Sequence, residues 1–149
     1  MDWINMYGLA YMFIIMIPNI IFAANNKEWI RNSWNNRVIE TFEQIGRFGC
    51  FVFMIFIIPG CGFGFTSDET FALYLILNTV LIVAYCIIWI LYFKKLTIFR
   101  TLALSIIPSS LFIISGMLSN YLPLLISSVI FAPCHILISY KNEVLNIQR

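Results

Sequence analysis

Glu43 and Arg47 stand four residues apart in Glu43-Gln44-Ile45-Gly46-Arg47, a spacing at which a helix stacks carboxylate and guanidinium on one face as an ion pair. The chain's single histidine, His135, is the side chain able to change charge near neutral pH. Where an imidazole meets a carboxylate, the two can exchange a proton or hold a cationic or hydrogen-bonding solute. Asn19 directly follows Pro18 and Ser109 directly follows Pro108, so an amide and a hydroxyl sit where a proline frees a carbonyl about one turn back. Asn19, Glu43, Arg47, Ser109 and His135 therefore form the candidate polar pocket. The plainer reading of the same residues is structural: an ion pair that pins one helix at a membrane surface, and polar groups that lock neighbouring helices.

These residues are embedded in a chain that is 61% hydrophobic and 11% charged, with a mean hydropathy of +0.90. Soluble domains carry about a quarter charged residues. The composition excludes a soluble domain, a disordered segment, a nucleic-acid-binding module and a disulfide-stapled scaffold. About 20 apolar residues in a helix cross the roughly 30 Å hydrocarbon core of a bilayer. Five segments qualify, at about residues 5–24, 45–65, 70–93, 98–118 and 121–140. The expected fold is all-α, a polytopic membrane helical bundle of about five transmembrane helices forming a single domain over residues 1–149. Short connections between most spans imply antiparallel neighbours. In residues 27–44 the stripe Ile30, Trp34, Val38, Phe42 and Ile45 predicts an amphipathic helix at the cytoplasmic interface before the second span. Asp2 stands where a signal peptide would be basic, so the first segment reads as retained.

With these spans all nine Lys and Arg residues fall on one side, which places the N-terminus outside and the C-terminus in the cytoplasm. His135 lies six residues before Lys141, roughly 9 Å along a helix axis, and so shares the inner leaflet with Asn19, Glu43 and Arg47. Pro59-Gly60-Cys61-Gly62-Phe63-Gly64 weakens the outer end of the second span, while Gly46 and Gly49 allow another helix to come close. The four cysteines include no C-x-x-C pair, and one histidine without tight ligand spacing gives no metal set. No nucleophile elbow, phosphate loop or paired membrane carboxylates occur, so no catalytic, cofactor or metal residue is assigned.

The segments Met16-Ile17-Pro18-Asn19-Ile20-Ile21, Glu43 to Cys50, Ser105-Ile106-Ile107-Pro108-Ser109 and His135 to Tyr140 resemble an uncharacterised family of small polytopic integral membrane proteins from low-GC Gram-positive, clostridia-like bacteria. The resemblance covers almost the whole chain and implies the bacterial plasma membrane, without an activity, substrate or cofactor. Where that family has Asn-Ile-Pro this chain has Ile57-Ile58-Pro59, so no polar role is carried over to position 57. The leading functional expectation is a non-enzymatic protein whose cytoplasm-facing pocket binds or passes a small solute or proton. The alternatives are an accessory subunit of a larger membrane assembly and an enzyme acting on lipid headgroups through His135 and Glu43. The expected partners are the lipid bilayer and further copies or a larger membrane complex, with no nucleic acid.

Overall fold

The computed structural model describes residues 3–25, 34–95 and 97–148. Five helices follow one another, α1 (Met6–Asn25), α2 (Arg37–Ile55), α3 (Asp68–Tyr92), α4 (Ile98–Leu118) and α5 (Leu122–Ile147), and the described residues contain no strand. Most helices start where the sequence supplies a side-chain acceptor for a free backbone N–H. Asn5 accepts from Gly8 N at 3.1 Å, Asn36 from Ile39 N at 3.4 Å, Ser67 from Thr70 N at 3.2 Å and Thr97 from Arg100 N at 3.2 Å. α5 opens instead with Pro123 in its first turn, where a missing N–H loses no helical bond.

α1, α3, α4 and α5 are long and apolar enough to cross a membrane, and the chain is membrane-embedded. Their outward faces are apolar, with Phe13, Ile20, Val80, Ile90 and Val129 exposed, while Asn78, Ser109, Ser115 and Ser128 are buried. Lipid explains this inversion, because acyl chains solvate the apolar exterior and polar groups must find partners inside. Ser115 accordingly donates to Asn78 Oδ1 across α3 and α4 at 3.0 Å.

The helix contacts close a ring in the order α1, α2, α5, α4, α3 and back to α1, with a thinner contact between α2 and α4. Neighbours run antiparallel except α1 and α3, which run parallel, with Tyr7 against Phe71 at one end and Phe22 against Trp89 at the other. One end of the ring gathers Arg37, Lys94, Lys95, Arg100 and Lys141, and is called the basic end below.

Three boundaries differ from the sequence reading, two of them at α2 and one at the end of α5. The helix runs over Arg37–Ile55 rather than 45–65. Residues 37–44 are its first turns and not a separate surface helix; residues 26–33 of the expected interfacial segment lie outside the described residues. The apolar stripe Val38, Phe42 and Ile45 does face outward, but it continues directly into Phe48 and Val52. On the opposite side Glu43, Gly46, Cys50 and Met54 are buried, so one continuous helix serves both faces. It stops at Ile55 because Pro59 disfavours helix before it, and Gly60 and Gly62 then adopt φ of 89° and 80°.

The chain beyond α2 is extended, and several of its backbone groups find partners on α1 and at the start of α5. Asn5 N donates to Ile55 O at 2.8 Å and Ile57 N to Trp3 O at 2.9 Å, which ties the start of α1 to the end of α2. From the first turn before α5, the Tyr121 hydroxyl donates to Phe56 O at 3.1 Å and accepts from Ile58 N at 2.9 Å. α5 runs past the expected limit of 140 to Ile147, because its last two turns still bury Glu143 against α4.

Candidate functional site

Glycine sets the spacing at the site. Gly46 abuts Phe131 and Gly49 abuts Ser127, so α2 and α5 approach backbone to backbone. One turn toward the basic end, this proximity delivers Glu43 and His135 to each other, with Glu43 Oε1 at 2.9 Å from His135 Nδ1. Arg47 Nη2 donates to the same oxygen from the next turn of α2. Glu43 is 3% exposed, His135 23% and Arg47 38%, so a buried carboxylate is covered by two partly open donors. The Phe131 ring stacks on the imidazole with centroids 4.6 Å apart and planes at 21°, which fixes the ring's orientation.

Two spaces meet at these side chains. A groove of about 950 Å³ between α2 and α5 is lined by Arg37, Glu40, Glu43, Arg47, His135 and Ser139, among others. A cavity of about 370 Å³ lies within the helix ring and takes residues from all five helices, including Asn19, Arg47, Tyr85, Pro108 and His135. Arg47 and His135 belong to both linings. Asn19 accepts from the Tyr85 hydroxyl at 2.9 Å and donates to Ile15 O, one turn back, at 3.2 Å.

Of the five sequence-derived candidates, Glu43, Arg47 and His135 are in direct contact, and Asn19 joins Arg47 and His135 on the cavity wall. Ser109 stands apart. Its buried hydroxyl donates to Ser105 O at 2.7 Å, Ser105 donates to Thr101 O at 2.9 Å, and it is Pro108 that faces the cavity. These hydroxyls are satisfied within α4, so they need nothing from a solute.

Three residues escaped the sequence reading. Tyr85 is a tyrosine in the middle of an apolar run, away from the span ends where aromatic anchors gather, and that position was its signal. Arg100 and Glu143 are both buried at the basic end, at 3% and 5% exposure, without an ion-pair contact between them among the described residues. The Arg100 guanidinium lies 4.5 Å from the Phe22 ring centroid and 4.9 Å from that of Trp89. Its Nη1 donates to Lys95 O at 3.4 Å, and Thr101 donates to Glu143 Oε2 at 3.1 Å. Arg100 Nε, Glu143 Oε1 and Trp89 Nε1 are buried with no hydrogen-bond partner among the described residues.

The chemistry available at the site is proton exchange and polar binding. Glu43 supplies a carboxylate shared by two donors, and His135 supplies a ring with nitrogens on opposite edges, one of them already on that carboxylate. Among the described residues no three His, Cys, Asp or Glu side chains gather as metal ligands would. No family model, curated protein or solved structure matches the chain.

Proposed function

We propose that this chain is a multi-pass protein of the bacterial plasma membrane, N-terminus outside and C-terminus cytoplasmic, that passes a proton, alone or with a small solute, between the cytoplasmic groove and the cavity inside the ring. One observation carries the reading: Arg47 and His135 line both spaces, so whatever moves between them moves past these two side chains. Glu43 holds both groups in the boundary, and its contact with His135 offers a route for a proton from carboxylate to imidazole. The gathering of basic residues at the Glu43 end supports the cytoplasmic orientation. In proteoliposomes carrying an inside-negative potassium diffusion potential, the chain should admit protons faster than empty vesicles, and Glu43→Gln should return influx to the empty-vesicle rate. Wild-type influx no faster than that of empty vesicles overturns the reading.

A second reading is supported by the burial of Glu43 between donors from α2 and α5. In it the triad only locks the two helices, and the protein serves as an accessory subunit of a larger membrane assembly or associates with further copies of itself. Under that reading Glu43→Gln lowers folded yield and no flux exists to be lost.

A further inference from the structure

The cavity inside the ring differs from the groove in the sign of its wall. Glu40 and Glu43 face the groove, whereas among the described residues no Asp or Glu side chain lines the cavity. Asn19 and Tyr85 are committed to each other, and the Asn19 amide nitrogen is committed to Ile15 O. Arg47 commits Nη2 to Glu43, and a guanidinium carries five N–H donors in a planar fork. His135 commits Nδ1 to the Glu43 carboxylate, which leaves the neutral ring's second nitrogen as an acceptor. The donor capacity left over in the cavity is therefore that of Arg47, a cation that is 38% exposed.

The rest of the wall is apolar, with Phe51, Phe112, Phe131, Leu104 and Pro108 contributing. A volume of about 370 Å³ falls within the roughly 300–1,000 Å³ of small-molecule sites, which pair apolar walls with a few placed polar groups. A planar guanidinium matches a carboxylate with two parallel hydrogen bonds, which a neutral head or an ammonium cannot accept in the same way. We infer that the central cavity binds a small organic acid, its carboxylate on the Arg47 guanidinium and its apolar body among Phe51, Phe112 and Phe131. The inference deepens the proposed function by naming the class of solute and rests on the same site.

The test uses the full chain in phosphatidylcholine nanodiscs, with empty nanodiscs subtracted. Radiolabelled benzoate is the probe, and benzylamine and benzyl alcohol carry the same ring with a cationic or neutral head. Saturable benzoate binding is expected, with no saturable binding of benzylamine. The double variant Glu43→Gln with Arg47→Gln removes both charges together, so neither is left buried alone, and should weaken benzoate binding by about tenfold or more. Arg47→Lys, which keeps the charge but not the fork, should retain part of it, and melting curves report whether each variant is folded. Palmitate as competitor distinguishes the source of the acid: displacement of benzoate points to membrane-borne acids, and failure to displace it points to soluble ones. Absent benzoate binding, equal binding of benzylamine, or unchanged binding in a folded double variant overturns the inference. Proton influx without benzoate binding overturns this inference alone, while benzoate binding without influx overturns the proposed function and leaves the site standing.

Discussion

A Cβ built on Gly46 would lie 2.8 Å from the Phe131 Cα, so α2 and α5 touch at a point where no other residue fits. The consequence is felt one turn away, where Glu43 and His135, 92 positions apart in the chain, come within hydrogen-bond reach. Distance between the helices and chemistry at the site are thus the same variable.

Gly46→Ala should separate the two helices and destabilise the fold by about 1–3 kcal/mol, the usual effect of overfilling a tight contact. Gly64→Ala, where an added Cβ meets nothing within 4 Å, should leave stability unchanged. Thermal unfolding of both variants in the same detergent checks the contrast, and equal stability of the two would refute the close contact.

Arg100→Met should be among the most damaging single changes at the basic end. It removes the guanidinium that stacks on Phe22 and Trp89, contacts worth about 2 kcal/mol when desolvated, and takes the cationic influence of α4 away from Glu143. Replacing both, Arg100→Met with Glu143→Leu, should recover much of the loss. Folded yield and melting temperature across the four members of the cycle measure the coupling between the two side chains.

Tyr121→Phe removes the hydroxyl that both donates to Phe56 O and accepts from Ile58 N. Those part-buried backbone groups lose their partner, at about 0.5–1.5 kcal/mol for each hydrogen bond. The half-buried Cys61 thiol in the adjoining segment should then react faster with a maleimide. An unchanged labelling rate would show that the segment is held by other contacts.

Lys94, Lys95 and Lys141 are exposed at the basic end. If that end is cytoplasmic, a membrane-impermeant amine reagent should leave them unmodified in intact cells and modify them in everted vesicles. Modification in intact cells would reverse the orientation and detach the groove from the cytoplasm.

Hydropathy made four helices legible within a few residues at most ends, and α4 lies at Ile98–Leu118 where the sequence reading put it. The end of α5 and the limits of α2 were not legible. Glu143 extends α5 because α4 offers it Thr101, and α2 starts early because its charged face has a partner in α5. Neither reason is visible in a window of local sequence.

The sequence by itself determined that this is a membrane-embedded helical chain, and at what height along its helix each polar side chain lies, because a helix advances by a fixed rise per residue. It also determined that Glu43 and Arg47 pair, since both occupy one helix face. Only the tertiary structure decided rotation about the helix axes. Packing turned Glu43 toward His135, turned Ser109 onto its own helix, and put Arg47 and His135 between two spaces. Rotation depends on which small residues let which neighbours approach, and that is a relation between helices far apart in the chain.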